Sequence, residues 1–328
     1  MTTPDLLTPV DLLQRLWEPM LLQSAKTPPT GDGYLSEIKW DGVRALISLD
    51  KGELRIRSRN QHDLTLAFPE LQKPEESFRP TDAVFDGEIV CLDEEGRPIL
   101  ADVLRRIQLS NEHAVERARK RHPAVCYLFD CLFLNGRQIT QEPLERRRAW
   151  LKDVILPGSP YRMSESVSDG SALFAAAKRM GLEGIVAKER GSLYYPGRRS
   201  SVWQKIKVHQ TTVCTIIGYT PGGGSRSSTF GSLYLAQHTG QEFQYVGKVG
   251  TGFDKQHLQS IGEALRALDR VNPPDCVNPP VGAKCHKNAR IVWVEPKLVC
   301  EIQHASWTKH RRLREPVFVR LRPELNHP

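Results

Sequence analysis

The segment around Lys39 contains residue types that could carry out nucleophilic chemistry on phosphate. It reads Glu37-Ile38-Lys39-Trp40-Asp41-Gly42-Val43-Arg44, in which a lysine ends one predicted strand and an Asp-Gly turn opens the next. A lysine amine attacks phosphorus only when it is deprotonated, so its pKa must be lowered by burial or by neighbouring cations. Asp41 is placed to orient the amine, and Arg44 is placed to hold a phosphate. We therefore predict that Lys39 is a nucleophile, although a lysine beside an Asp-Gly hairpin is also an ordinary structural feature.

Two basic segments further along the chain have the spacing expected of phosphate contacts. Arg57-Ser58-Arg59-Asn60 ends a predicted strand with two arginines on one face, where their guanidinium groups suit phosphate oxygens. In Trp203-Gln204-Lys205-Ile206-Lys207, two lysines share one face of another predicted strand. Two cations held side by side repel each other unless an anion lies between them. Both segments therefore predict an anion nearby.

Two carboxylate segments and an aromatic residue could complete such a site. Asp86-Gly87-Glu88 and Glu183-Gly184 each place an acidic residue at the edge of a predicted strand, within apolar sequence. A pair of carboxylates that face a phosphate is a donor set that Mg²⁺ prefers, although solvated acids in hairpin turns would look the same. Phe129 offers a ring on which a nucleobase could stack, although a core phenylalanine is the more common meaning. Together these residues predict a site for phosphate, metal and base around Lys39.

The elements that must hold these residues are predicted to form two domains. In the first, alternation and turn residues indicate strands, and amphipathic spacing with stop signals indicates helices: strands within 35–58, 83–92, 124–134, 183–189 and 201–208, and helices at 143–155 and 170–180. After Val208, short strands with glycine-rich turns surround one helix, for which Asp254 is the predicted cap. Many short strands with one helix are typical of a small, partly open barrel. We place the domains at 1–208 and 209–328.

Composition and charge favour a soluble protein that binds a polyanion. The 328-residue chain has a net charge of +8, and from Lys284 to the end ten Lys and Arg stand against four Asp and Glu. Such a concentration of cations favours nucleic acid as a partner, while a solvated basic surface is the alternative. No apolar run is long enough to cross a bilayer and the start lacks a signal-peptide pattern, so we predict a cytoplasmic protein. The seven cysteines lack zinc-site spacing and are expected to be reduced thiols.

In their order along the chain, these segments resemble the motifs of the covalent nucleotidyltransferase superfamily, which contains ATP-dependent DNA ligases, RNA ligases and capping enzymes. The resemblance is carried by six segments, similar to motifs I, Ia, III, IIIa, IV and V: Lys39-Trp40-Asp41-Gly42-Val43-Arg44, Arg57-Ser58-Arg59-Asn60, Val84-Phe85-Asp86-Gly87-Glu88, Tyr127-Leu128-Phe129-Asp130, Glu183-Gly184-Ile185-Val186-Ala187-Lys188 and Trp203-Gln204-Lys205-Ile206-Lys207. The second half is similar to bacterial end-joining ligases, for example in Gly247-Lys248-Val249-Gly250-Thr251-Gly252-Phe253. The implied fold is α+β: a nucleotidyltransferase (adenylation) domain of antiparallel sheets with flanking helices, followed by a small OB-fold β-barrel that binds DNA.

The resemblance implies an ATP-dependent DNA ligase with a specific set of site residues. Lys39 would attack the α-phosphate of ATP and form a lysyl-AMP, from which AMP passes to the 5′-phosphate of a DNA break before the 3′-hydroxyl seals it. The residues implied to bind ATP are Glu37, Lys39, Arg44, Arg59, Glu88, Phe129, Lys205 and Lys207. Glu88 and Glu183 are the implied ligands of Mg²⁺ or Mn²⁺. The implied contacts to DNA or phosphate are Arg44, Arg59, Arg226, Arg311, Arg312 and Arg322.

One motif differs from the family pattern, and alternatives stay open. The family usually closes with Arg-x-Asp-Lys, whereas this chain has Arg322-Pro323-Glu324-Leu325, which leaves the efficiency of the first step open. An RNA ligase, a capping-type guanylyltransferase, or a nick- or end-binding protein with weak turnover are the other readings. The implied partners are nicked or broken double-stranded DNA, with a bacterial Ku-type end-binding protein or other repair proteins as candidates. A monomer in the bacterial cytoplasm, without a membrane partner, is expected.

Overall fold

The computed structural model describes residues 14–239, 242–270, 272, 276–277, 291–308 and 310–326. Contacts within the chain divide it into two compact units, Met1–Val208 and His209–Pro328. Each unit has hydrophobic cores of its own, and each is described by itself. The sequence also predicts Asn-Pro-Pro turns at 272–274 and 278–280, and most of these residues lie outside the described ones.

The first unit combines β-sheets with flanking helices. Its strands are β1 (Leu21–Ser24), β2 (Tyr34–Ile38), β3 (Val43–Asp50), β4 (Glu53–Ser58), β5 (Asp82–Cys91), β6 (Ala124–Leu134), β7 (Arg137–Gln138), β8 (Tyr161–Met163), β9 (Ser166–Val167), β10 (Gly184–Glu189) and β11 (Arg199–Lys207). Its helices are α1 (Pro74–Ser77), α2 (Leu100–Ile107), α3 (Glu112–Arg121), α4 (Leu144–Val154) and α5 (Gly170–Arg179). The predicted helices at 143–155 and 170–180 are confirmed by α4 and α5, whereas α2 and α3 were not predicted.

Within the described part of this unit, the strands form two mainly antiparallel sheets. One sheet has the order β1-β11-β10-β2-β9, and the other has the order β4-β3-β5-β6-β7, with β8 beside β6. Helix α4 packs on β6 of the second sheet, and α5 packs on β2 and β10 of the first. Strand β10 lies inside the first sheet and β5 inside the second, so each holds its residues at fixed positions.

The segment from Lys39 to Gly42 connects the two sheets and does not form the hairpin that the sequence analysis left open as an alternative. Strand β2 ends just before Lys39 and pairs with β10 and β9, whereas β3 pairs with β4 and β5. A side chain at Gly42 would lie 2.2 Å from the Ile89 carbonyl oxygen, so the chain crosses closely against β5. An Asp-Gly turn is local, but β2 pairs with β10, which is distant in sequence, so the local pattern could not distinguish a hairpin from a crossing between sheets.

In its described residues, the second unit is a curled sheet with one α-helix. Its strands are β12 (Gln210–Pro221), β13 (Phe230–Thr239), β14 (Glu242–Val249), β15 (Asp269–Arg270), β16 (Cys276–Val277), β17 (Val292–Val294), β18 (Val299–His304), β19 (Ser306–Trp307), β20 (Leu313–Arg314) and β21 (Val317–Leu321). Strand β12 pairs with β13 on one side and with β17 and β18 on the other. Helix α6 (Lys255–Arg266) begins after Asp254, whose side chain accepts a hydrogen bond from the His257 amide, which confirms the predicted cap.

Two further sequence expectations can be compared with this fold. Five of the cysteines, namely Cys91, Cys126, Cys131, Cys214 and Cys300, are buried free thiols, as expected. Across the residues that the structure describes, every helix is too short or too polar to span a bilayer.

Candidate active site

A cleft between the two sheets of the first unit brings together five of the predicted site residues. It encloses about 440 Å³, part of which is open to solvent. Its walls come from both sheets and from the Lys39 connection: Leu22, Glu37, Ile38, Lys39, Trp40, Arg44, Glu88, Phe129, Val186, Lys188 and Trp203. Concave sites with an apolar lining and a few convergent polar groups are where small ligands bind.

The amine of Lys39 is held at this cleft by Glu183. Its Nζ atom donates to Glu183 Oε2 at 2.6 Å, and Lys207 Nζ lies 3.3 Å from Glu183 Oε1. The backbone fixes the pair as well, because the Lys39 amide donates to the Gly184 carbonyl at 2.9 Å. The anion beside Lys207 of β11 is therefore, in this structure, a carboxylate of the protein.

Lys205 lies on the same strand and has an acidified amine. Partial burial lowers the pKa of Lys205, and the nearby cations Lys207, Lys39 and Arg199 lower it further, with Glu183 acting in the opposite direction. A lysine whose pKa is lowered by neighbouring cations favours an incoming anion. Neither Lys205 nor Lys207 lines the cleft itself, so the contact of these lysines with phosphate stays a prediction.

Glu88 lines the cleft from the middle of β5, opposite Arg44 in the sheet register. Burial raises the pKa of this carboxyl to about 8, since the attraction of Lys39 and Arg44 is offset by repulsion from Glu183 and Asp86. A bound cation stabilises the charged form of a carboxyl whose pKa is raised by burial. The strand predicted at 83–92 is confirmed by β5, and Asp86-Gly87-Glu88 lie inside it and not at its edge, so the alternative of a hairpin turn with a solvated acid was wrong.

Arg44, predicted to hold a phosphate, is engaged by a buried carboxylate. Its Nε and Nη2 atoms donate to Asp86 at 2.9 and 2.6 Å, and its Nη1 atom donates to the Met20 carbonyl at 2.6 Å. Tyr194 also donates to Asp86 at 2.6 Å. Burial alone would lower the pKa of Arg44, but Asp86 raises it above its usual value. Arg44 thus lines the cleft while three of its nitrogen atoms donate hydrogen bonds to other groups of the protein.

Glu37 is joined to two cations for which no role was predicted. Its Oε1 atom accepts a hydrogen bond from Arg148 Nη1 at 2.7 Å and lies 2.9 Å from Lys188 Nζ. Burial lowers the pKa of Lys188, with Glu37 opposing this effect. Arg148 lies on α4, 111 residues from Glu37, so no local pattern links them. For Lys188, the available signal was the alternation of side chains along β10. Because Lys188 and Val186 are two residues apart, they lie on the same face of the strand, and both line the cleft.

The aromatic residues of the cleft are packed against cations and against each other. Lys188 Nζ lies over the Phe129 ring at 4.2 Å and over the Trp203 ring at 4.4 Å from the ring centres. Arg44 Cζ lies over Phe129 at 5.4 Å. Trp40 stacks on Tyr127 with 3.7 Å between centroids. Phe129 therefore already packs against cations, and its predicted stacking on a nucleobase stays a prediction.

The remaining predicted residues lie away from the cleft wall or in the second unit. Arg59 is exposed in the turn after β4, so it does not share a strand face with Arg57. Arg226 donates to the Gly250 carbonyl at 3.1 Å, and Arg312 donates to the Tyr245 carbonyl with its guanidinium over that ring. Arg322 pairs with Glu301 at 3.0 Å and with Glu324, while Arg311 is exposed.

The donor chemistry of the cleft fits a hard divalent cation held partly by its substrate. No cluster of three or more metal-ligating side chains occurs among the described residues. Glu88 and Glu183 are nevertheless close enough for each charge to affect the other. Mg²⁺ often binds proteins through only one or two carboxylates, with water and phosphate oxygens completing its shell. The elevated pKa of Glu88 is consistent with a place for such an ion.

Comparison with known families explains why these residues are assembled. Residues 19–207 match the family model described as "ATP dependent DNA ligase domain", and residues 226–325 match the "ATP dependent DNA ligase C terminal region". The chain belongs to the ATP-dependent DNA ligase family. Its fold is accordingly that of a nucleotidyltransferase ligase domain followed by an OB-fold domain, as the sequence predicted.

Curated relatives of this chain are named as DNA ligases or end-joining proteins. It is 34% identical over 288 residues to the multifunctional non-homologous end joining DNA repair protein LigD of Mycobacterium tuberculosis, covering 88% of this chain and 36% of LigD. It is 31% identical to a DNA ligase of Aeropyrum pernix, covering 88% of this chain and 50% of that protein. The chain thus spans between a third and a half of the length of these curated relatives.

Solved structures resemble the chain over nearly its whole length. The ligase domain of M. tuberculosis LigD is 30% identical, with a TM-score of 0.50 and coverage of 94% of this chain and 96% of that chain. A mycobacterial DNA ligase D complexed with ATP and MES is 29% identical, with a TM-score of 0.51 over the same shares.

Proposed function

We propose that this chain is an ATP-dependent DNA ligase that joins a 5′-phosphate to a 3′-hydroxyl through a lysyl-AMP and a DNA-adenylate. The observation that carries the proposal is the Lys39 amine, which lies at the wall of an aromatic-lined cleft and is held by a carboxylate shared with Lys207. Membership of the ligase family supports it.

In the first step, the Lys39 Nζ atom forms a bond to the α-phosphorus of ATP, and the bond to the β-phosphate oxygen breaks. Pyrophosphate leaves, and the ammonium proton of Lys39 must also leave. Glu183 Oε2, at 2.6 Å, is the nearest carboxylate oxygen that can hold that proton. Lys205 and Lys207 lie beside this pair and can neutralise the α-phosphate, which is how proteins promote phosphoryl transfer.

In the next two steps, an oxygen of the DNA 5′-phosphate takes AMP from Lys39, and the 3′-hydroxyl then displaces AMP. The same side chains serve throughout, since each step transfers a phosphoryl group with charge on its oxygens. Glu37 would bind the adenine edge, Phe129 would stack on the ring, and Arg44 and Arg59 would contact ribose or the 5′-phosphate. Glu88 and Glu183 would hold Mg²⁺ or Mn²⁺, which neutralises phosphate charge when it is bound.

We further propose that residues 1–208 act as the adenylation domain and residues 209–328 as the OB-fold domain that binds DNA. Arg226, Arg311, Arg312 and Arg322 are the proposed contacts of that second domain. The LigD relatives are named for non-homologous end joining, which supports broken DNA ends in the bacterial cytoplasm as the substrate. A Ku-type end-binding partner and a monomeric state are part of this proposal, tested by co-purification with Ku and by light scattering.

Adenylylation and sealing are separable in the experiment that tests this function. The protein is incubated with α-labelled ATP and Mg²⁺, and then with nicked DNA or nicked RNA duplexes. The proposal requires a label on the wild-type protein that is stable in alkali and labile in acid, as a P–N bond to lysine is, and sealing of DNA. Label from GTP only, or sealing confined to RNA, would replace the proposal by a capping enzyme or an RNA ligase.

A further inference from the structure

The side chain of Trp40, the residue directly after Lys39, is held against the second sheet of the first unit. Its ring stacks on Tyr127 of β6, with 3.7 Å between ring centroids and 8° between ring planes. Its Nε1 atom donates to Ser164 Oγ at 3.3 Å. Ser164 is 1% exposed, and its amide donates to the Leu128 carbonyl of β6 at 2.7 Å. Both contacts of the Trp40 ring therefore lead to β6.

The backbone on either side of Trp40 is attached to different sheets. The Lys39 amide donates to the Gly184 carbonyl of β10, in the first sheet, at 2.9 Å. Gly42 crosses against β5 of the second sheet, where a side chain would lie 2.2 Å from the Ile89 carbonyl oxygen. Trp40 lies between these two points and lines the cleft. Its contacts with β6 therefore fix the connection at the residue next to the proposed nucleophile.

We propose that Tyr127 and Ser164 are positioning residues that act through Trp40 to hold Lys39 where its amine reaches the α-phosphate. The inference rests on the proposed function for the identity of the reaction. A lysine amine is carried on a flexible four-carbon chain, so its reach depends on where the backbone is held. Misplacing a reacting group by about 1 Å can cost about 10²-fold in rate. Loss of either contact should therefore slow the chemical step.

The three steps of ligation differ in their need for Lys39. Its amine is the nucleophile of the first step and the leaving group of the second. In the third step the 3′-hydroxyl displaces AMP that is already on the DNA, and the Lys39 amine forms no bond. A defect in the position of Lys39 should therefore slow lysyl-AMP formation far more than the sealing of DNA that carries a 5′-adenylate beforehand. A general loss of folded structure would slow both.

The test measures both reactions for the full chain. Single-turnover transfer of label from α-labelled ATP to the protein is followed over a range of ATP concentrations, and sealing is followed on nicked duplex DNA with a synthetic 5′-adenylate. Tyr127→Leu removes the stacked ring and is expected to lower the maximal labelling rate by about 10- to 10²-fold. The ATP concentration that gives half of that rate should change little, because Tyr127 is not part of the cleft lining.

Two variants serve as controls for Tyr127→Leu. Tyr127→Phe keeps the ring and should keep the wild-type labelling rate. Tyr34→Leu removes an aromatic ring at the opposite end of β2 from Lys39, whose hydroxyl donates to Glu189 at 3.2 Å. It should leave the labelling rate unchanged.

The hydrogen bond of Trp40 is tested by a double-mutant cycle. Ser164→Ala removes the acceptor and Trp40→Phe removes the donor while keeping a ring that can stack. Each is expected to lower the labelling rate by about two- to tenfold, the effect of one net hydrogen bond. Because both variants break the same bond, the combined variant should be no slower than either alone.

The proposal is overturned if folded Tyr127→Leu keeps the wild-type labelling rate, or if it slows labelling and sealing of adenylylated DNA equally. If Tyr127→Leu does not fold, the double-mutant cycle decides: additive losses, or no loss in Ser164→Ala and Trp40→Phe, overturn the proposal. Failure of the ligase function would look different, since the wild type itself would take no label from ATP and would not seal adenylylated DNA.

Discussion

Glu183 bridges two lysines, with Oε2 at 2.6 Å from Lys39 Nζ and Oε1 at 3.3 Å from Lys207 Nζ. The same carboxylate was predicted from the sequence as a metal ligand. In the absence of substrate it serves as the counterion of the proposed nucleophile. A phosphate that enters between the lysines would take over this role and release the carboxylate for a metal.

Replacing Glu183 by Gln should slow the formation of lysyl-AMP. The amide keeps the shape of the side chain but removes the negative charge that orients Lys39 and accepts its proton. Loss of one electrostatic partner in an active site costs about 10²–10³-fold in rate, so a drop of this size is expected in single-turnover labelling. Glu165→Gln, at an exposed acid, is the matched control. Equal labelling rates for the two variants would exclude a direct role for Glu183.

Arg44→Met should destabilise the first unit whatever its effect on ATP. The change leaves Asp86, which is 0% exposed, without its bidentate partner. Breaking a buried ion pair by removal of one member costs about 3–5 kcal/mol, measurable by urea unfolding. Arg55→Met, on the adjacent strand β4 and pairing with the exposed Asp63 at 3.7 Å, should cost much less. If the Arg44→Met variant is stable and loses only nucleotide binding, then Arg44 serves as a phosphate ligand and its ion pair with Asp86 does not stabilise the fold.

Glu88 should make stability fall as pH rises when metal is removed. Its pKa is raised to about 8 in the folded protein, whereas the unfolded chain ionises near its ordinary value of about 4.3. Between these values the folded state binds the additional proton, so the free energy of unfolding decreases with increasing pH and levels off above about pH 8. In EDTA, the Tm of the wild type should fall relative to Glu88→Gln between pH 6 and 8.

The expected difference is on the order of 1 kcal/mol, or about 2–4 °C for a domain of this size, because Glu88 is only half-buried. Added Mg²⁺ should raise the Tm of the wild type most at pH 8 and above, where the carboxylate is available as a ligand. Parallel Tm curves for wild type and Glu88→Gln at all pH values would contradict the assigned shift.

DNA affinity should depend on salt through some arginines of the second unit and not through others. Arg311 is exposed and forms no ion pair with a described residue, whereas Arg322 is paired with Glu301 and Glu324. Each phosphate neutralised contributes about 0.9 to the slope of log affinity against log salt. Arg311→Gln should therefore reduce that slope by about 0.9, and Arg322→Gln by much less. The opposite order would indicate that DNA displaces the carboxylates from Arg322.

The sequence predicted the parts of the site that depend on local patterns. Lys39, Glu88 and Phe129 were identified from strand alternation, turn residues and family-like motifs, and all three line the cleft. The alternative of a hairpin at Asp41-Gly42 could not be excluded from the sequence, because the same dipeptide also suits a crossing between two sheets and only strand pairing distinguishes the two.

The residues that sequence reasoning missed depend on contacts between distant segments. Arg148 meets Glu37 across 111 residues, and helix periodicity cannot say which partner a buried arginine has. Helix α3 was also missed, since its sequence EHAVERARKR is largely charged and buries only Val115, so the apolar stripe that predicts a helix is weak.

The identity of the nucleophile is the central claim, and peptide mapping of the adenylylated protein tests it most directly. Purified protein is incubated with ATP and Mg²⁺, digested, and searched by mass spectrometry for a lysine that carries AMP. We predict a single adduct on Lys39, lost in Lys39→Ala and retained in the Tyr34→Leu control. An adduct on Lys188 or Lys205, whose pKa values the fold lowers, or persistent labelling of Lys39→Ala, would contradict the account.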